Sequence, residues 1–156
     1  MIIEQAIECN EISKLGKEYP YVRPWKCPRC GSIKIWGHGY VRRYFDGYAE
    51  ILCLKRWICA DCGCVISIRP KNYFRRHHAT TQKILDCIKH RLNHGCWIRG
   101  PALSRQKQGH WLRALRKNIL ILLGFDYKGN ILEGFKQLIS NNQCPINRLT
   151  QSKASA

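Results

Sequence analysis

Two Cys-x-x-Cys-Gly units, Cys27-Pro28-Arg29-Cys30-Gly31 and Cys59-Ala60-Asp61-Cys62-Gly63, constrain this chain more than any other feature. Each is a tight turn that offers two sulfurs side by side, and the glycine after the second Cys lets backbone N–H groups turn toward them. Twenty-eight residues separate the pairs. That spacer is longer than is usual for such an arrangement, and a three-stranded insert accounts for it. Four soft ligands in this pattern predict one tetrahedral site on Cys27, Cys30, Cys59 and Cys62, filled by zinc. The segment around it spans about 45 residues with few long aliphatics, below the size that builds a sufficient core unaided. A metal worth roughly 10–16 kcal/mol in small peptides would fold it.

Two other uses of the motif fit less well. Redox Cys-x-x-Cys pairs come singly and open a helix. Catalytic zinc keeps an open coordination position, which a complete four-thiolate set does not leave. The remaining thiols, Cys9, Cys53, Cys64, Cys87, Cys96 and Cys144, have no such spacing, and buried or spare thiols are the default for them. His38, in a Gly-His-Gly sequence, is an outside candidate ligand. The N-terminal residues lack a secretory pattern, and the longest purely apolar run, Ile119 to Leu123, is far too short to span a bilayer. The expectation is a cytoplasmic protein without membrane segments, in which thiols stay reduced.

The second constraint is charge. The chain carries 27 Lys and Arg against 10 Asp and Glu, a net +17. Residues 1–20 are net −2, residues 21–76 net +9, residues 77–123 net +8 and residues 124–156 net +2. The polyanions that reward such a balance are nucleic acids and anionic lipid. Solubility alone needs a net charge of roughly 2–8 in a small domain.

The pattern divides into an N-terminal segment (1–20), a ribbon (21–70), a basic helix-turn-helix-like region (71–123), a C-terminal helix (124–142) and a flexible tail (143–156). The fold class expected is therefore α+β. The first twenty residues suggest a short helix on Ile3, Ile7 and Leu15. In the ribbon, Ile33–Trp36 and Tyr40–Phe45 read as strands separated by Gly37-His38-Gly39, Asp46-Gly47 as a hairpin turn, and Ile51–Ile58 and Val65–Ile68 as further strands. Helices follow from a Thr80 or Thr81 cap to about Asn93, from a Ser104 cap to Gly124, and from Asn130 to about Ser140. The last dozen residues, Pro145 included, read as frayed.

Projected at 100 degrees per residue, the second of these helices sets Trp111, Leu115, Ile119 and Leu122 on one face and Gln106, His110, Arg113 and Lys117 on the other. One stripe packs; the other offers amide and guanidinium forks to base edges and phosphates. An ordinary solvated face is the simpler reading, but no acid occurs from Arg99 to Lys117. The candidate nucleic-acid contacts are thus Arg99, Arg105, Gln106, His110, Arg113 and Lys117, with Arg42, Arg43, Arg69, Lys71, Arg75 and Arg76 from the basic stretches upstream. Tyr73 and Phe74, interleaved with that last cluster, either stack on bases or pack inward. Double-stranded DNA is the expected partner, with RNA the alternative.

The sequence also resembles a known group. Cys27-Pro28-Arg29-Cys30-Gly31-Ser32, then His38-Gly39-Tyr40, then Arg56-Trp57-Ile58-Cys59-Ala60-Asp61-Cys62-Gly63-Cys64 is similar to the N-terminal zinc ribbons of bacterial insertion-sequence transposases and of the small companion proteins those elements encode. Trp97–Pro101 and His110–Arg116 resemble the helical part of such proteins. The resemblance covers roughly residues 21–120. It implies DNA binding at, or regulation of, a mobile element, with a transposase or recombinase as a possible protein partner. The carboxylate triad of full transposases has no counterpart, since only Asp126 and Glu133 lie beyond Asp86. The chain is therefore not expected to be an enzyme, an accessory recombinase or nuclease subunit being the alternative.

Overall fold

The computed structural model describes residues 1–100 and 103–147. It divides into two compact units, Met1–Ala79 and Thr80–Ala156. Together they are α+β, with a four-stranded sheet in the first unit and most of the helix in the second.

The first unit is built on strands β1 (Ile2–Gln5), β2 (Ile35–Arg43), β3 (Leu52–Cys59) and β4 (Val65–Pro70), with helix α1 (Cys9–Leu15) between the first two. Their spatial order is β1-β4-β3-β2. β2, β3 and β4 run antiparallel as a meander, and β1 joins β4 in parallel, Ile3 opposite Ile68. Residues 2–5 are thus a strand, and the expected N-terminal helix begins only at Cys9. Ile3 is a β-branched residue that packs on the cluster beneath the cysteines, which local periodicity does not reveal.

Gly37-His38-Gly39 does not break the chain into two strands. Gly37 faces Trp57 and Tyr40 faces Lys55, so β2 holds one residue more than β3 across this interval. That is a β-bulge, with Gly39 at φ 70 supplying the left-handed residue. The spacer between the cysteine pairs is therefore one bulged hairpin and not a three-stranded insert. Its turn is also wider than the Asp46-Gly47 signal suggests. Residues 44–51 form the connection, and it folds back because Phe45 is buried against Tyr73, ring centroids 4.6 Å apart.

The sheet is covered at its two ends by two separate clusters. Cys9, Ile12, Phe45, Leu52, Leu54 and Tyr73 form one, closed by α1. Cys27, Ile35, Cys59, Cys64 and Ile66 form the other, under the cysteine turns. β4 shows the resulting alternation, with Ile66, Ile68 and Pro70 buried between half-exposed neighbours.

The second unit contains α2 (Thr81–His94), α3 (Arg105–Leu122) and α4 (Ile131–Ser140), with α3 packed against both others. Each begins where a cap requires it. Thr80 Oγ1 accepts from Lys83 N at 3.1 Å, Ser104 Oγ from Lys107 N at 3.1 Å, and Asn130 with Glu133 completes a reciprocal capping box. Gly95, at φ 68, ends α2. Trp111, Leu115, Ile119, Phe135 and Leu138 fill the interior. Gly134 lets α4 approach α3 so closely that a Cβ there would stand 2.5 Å from Ile119 Cδ1. No helix of the described residues is long and apolar enough to cross a membrane.

The start of the expected flexible tail is packed. Ile146 is fully buried, and the buried side chain of Asn118 donates to the carbonyls of Pro145 and Asn147, both at 2.9 Å. A helix-face asparagine satisfied in this way ties residues 143–147 to α3. The remainder of the tail, residues 148–156, lies outside the described residues, as do Pro101 and Ala102. Asn118→Ala should leave those carbonyls unpartnered and cost about 1–3 kcal/mol. Denaturant unfolding gives the loss, and hydrogen exchange should place the earliest opening at residues 143–147.

Candidate metal centre and basic surfaces

The two cysteine turns have matching backbones. Cys27 N donates to Ser32 O at 2.7 Å and Gly31 N to Cys27 O at 2.9 Å; Cys59 N donates to Cys64 O and Gly63 N to Cys59 O, both at 3.0 Å. Gly31 (φ 76) and Gly63 (φ 64) take the left-handed conformation that closes each turn. Ala60 N donates to Lys34 O at 2.9 Å and joins the second turn to the chain after the first. The first turn leads toward β2, and the second links β3 to β4.

The four sulfurs of Cys27, Cys30, Cys59 and Cys62 lie within 4.8 Å of one another. Cys27 Sγ is 3.7 Å from Cys62 Sγ, and Cys30 Sγ is 3.6 Å from Cys59 Sγ. These are not disulfides, and all four thiols are free. The edge of a tetrahedron with metal–sulfur bonds of about 2.3 Å is about 3.8 Å, so the spacing suits a four-coordinate metal ion. His38 is exposed at the bulge and is not part of the cluster. Cys64 is buried beneath the turn, with its thiol directed at its neighbour's carbonyl, Val65 O, at 3.9 Å.

Four thiolates this close repel one another, so without a cation they share protons. Burial raises the Cys27 thiol, but hydrogen bonds from the backbone of Cys30 and Arg29 and from the thiols of Cys62 and Cys30 outweigh it and bring it down to about 6. At Cys62 the Cys64 backbone N–H works downward, yet burial and the three neighbouring thiols push it up to about 12. Cys59 is lowered, chiefly by the backbone N–H of Cys62. A dication removes this competition and expels the protons. Outside the sulfurs, Lys34 and Asp61 form a solvent-exposed ion pair at 3.5 Å.

The candidate nucleic-acid residues fall on several surfaces. Gln106, His110, Arg113 and Lys117 are all exposed along α3, as is Arg105 at its start. The opposite side is broader than the projected stripe. Leu112, Gln108 and Asn118 are buried with Trp111, Leu115 and Ile119, while Leu122 is only half-buried. Arg99 is exposed in the connection before α3. In the first unit Arg42, Arg43, Lys71, Arg75 and Arg76 are exposed. Arg69 differs. Its Nε donates to Tyr73 O and its Nη2 to His77 O, both at 2.8 Å, so this guanidinium holds a loop. Tyr73 packs inward, 5% exposed, which decides between stacking and core in favour of core. No protein family, curated protein or solved structure matches this chain.

Purified without chelators, the protein should carry one metal ion per chain by elemental analysis. Cys59→Ser should abolish it and unfold the sheet while leaving most helical ellipticity. Acidification should release the metal, because protons compete for the thiolates as pH falls.

Proposed function

We propose that the chain is a zinc-dependent DNA-binding protein in which the metal has a structural role and the basic helices carry the contact. Zinc is preferred because four thiolates at tetrahedral spacing are its usual structural ligand set, iron being the other metal that takes them. With four protein ligands no position is left for water or substrate, which argues for a ribbon that is held rather than one that reacts.

The observation that carries the reading is the outward stripe of α3. Gln106, His110, Arg113 and Lys117 stand exposed on a helix whose other side is packed. Arg105 and Arg116 flank them, also exposed, and no acid interrupts the helix. A solvated face usually mixes signs for solubility and for pairing along the helix. This one repels itself, and a phosphate backbone relieves that repulsion. α2 and α3 make a helix-turn-helix-like pair whose connection, residues 95–104, exceeds the roughly three or four residues of a tight one. The first residues of α3 enter the major groove in this arrangement, Gln106, His110 and Arg113 reading base edges and Lys117 holding a phosphate. Association with a mobile element rests on the resemblance of the cysteine turns to transposase ribbons. Strand transfer is not part of the proposal, because the few acids are scattered.

Affinity for duplex DNA should fall steeply with salt as bound Lys and Arg release condensed counterions. On a selected site, Arg113→Ala should cost about 1–3 kcal/mol and relax preference at one base, while Lys117→Ala should weaken all sequences evenly and reduce the salt slope by about one. Equal losses for Arg113→Ala on selected and scrambled DNA would show that α3 does not read sequence.

A further inference from the structure

One face of the sheet leads into a cavity of about 280 Å³ within the first unit. Ile2, Val41, Leu54, Ile68 and Phe45 supply its apolar lining, one residue from each of the four strands and one from the loop after β2. Arg43, Arg75 and Arg76 stand around it, with His78 and the ring of Tyr44, which is 59% exposed. No acid is among its lining residues. Glu4, opposite Arg69 across the β1–β4 pairing, is outside the lining.

The basic rim is held in place. Arg69 fastens the carbonyls of Tyr73 and His77 at 2.8 Å each, His77 N closes a turn on Phe74 O at 3.1 Å, and Asp46 N ties His78 O to the β2–β3 connection at 2.8 Å. Arg75 and Arg76 form the tip of that turn, and Arg76 sits at φ 69, a conformation that side chains other than glycine rarely adopt. Among the described residues, the side chains of Arg43, Arg75 and Arg76 have no hydrogen-bond or ion-pair partner. Three guanidinium groups thus line one hollow whose lining holds no acid. Their fork geometry matches phosphate oxygens.

We propose that this cavity binds one unpaired nucleotide of a DNA strand, its phosphate on Arg43, Arg75 and Arg76 and its base over the apolar lining beside Tyr44. The inference deepens the DNA-binding reading and takes the kind of polymer from it. Bare phosphate would use the arginines and leave the apolar part of the lining and the exposed ring of Tyr44 uncovered. The volume lies at the small end of ligand pockets, about 300 Å³, and suits one nucleotide rather than a helix. A base stacked within a duplex cannot reach such a hollow, so the ligand is a single strand, a frayed end or an extruded base. Exposed Tyr44 offers the stacking surface that single-strand binding uses.

The test uses the full-length, metal-loaded protein, with a labelled short oligothymidylate and a labelled hairpin duplex as separate probes. The double variant Arg75→Ala/Arg76→Gly should lose roughly tenfold or more in oligothymidylate affinity. It should lose only about threefold on the duplex, where two charges among many are removed. Glycine at 76 relieves the left-handed strain, so loss of fold does not explain the result. Thymidine monophosphate should displace the oligothymidylate, and inorganic phosphate at the same concentration should not. Unchanged oligothymidylate affinity in the double variant, or equal displacement by inorganic phosphate, would overturn the assignment. A wild-type protein that binds oligothymidylate but not the duplex would sink the reading of α3 and leave the cavity standing. Duplex binding with single-strand affinity intact in the double variant would do the reverse.

Discussion

The first unit depends on the crossing of two cysteine turns over one point. Its apolar residues are split between two small clusters at opposite ends of a short sheet. Neither is large enough to organise 79 residues alone. One of them contains Cys27 and Cys59 as core members, so two of the four residues able to hold a metal ion are also part of the core. Bringing four thiolate sulfurs within 4.8 Å of one another costs electrostatic energy until a cation is present. A metal ion held there would couple the folding of this unit to its binding. β1 fits this picture: Ile3 reaches the metal-side cluster, so the N-terminal strand adds to the core where the unit is thinnest.

What sequence could reveal follows from how local each interaction is. The caps at Thr80, Ser104 and Asn130 act within one turn, and the helices start where those residues place them. The four sulfurs come together because their spacing leaves few alternatives. β1 was not legible, because Ile2–Gln5 pairs with residues more than sixty positions away and four residues carry no period of their own. The Gly-His-Gly stretch reads equally as a turn or a bulge, and only the partner strand decides. Asn118 sits on the buried side of α3, yet a polar residue there gives no sign that Pro145 and Asn147 will return to meet it. Leu122 misled in the other direction, since the projection assumes one partner while α3 packs on both α2 and α4.

The arginines show most plainly that composition does not assign roles. Arg69, Arg75 and Arg76 lie within one short basic stretch and look alike in sequence. In the structure Arg69 spends its donors on two carbonyls, and the two that follow are held out by the turn it secures. A positive cluster that folded for its own stability would seek carboxylates, and the first unit has seven acids to offer. Yet no acid lines this cavity, and among the described residues Arg43, Arg75 and Arg76 have no ion pair. The turn instead adopts a left-handed residue and a buried anchor to keep like charges together. In the proposed complex a bound phosphate would relieve that repulsion. The same argument applies to α3, where an acid-free stripe backs a well-packed interior. In both places the side chains are exposed, so salt screens part of the repulsion. A phosphate polymer lying against either surface would relieve that repulsion.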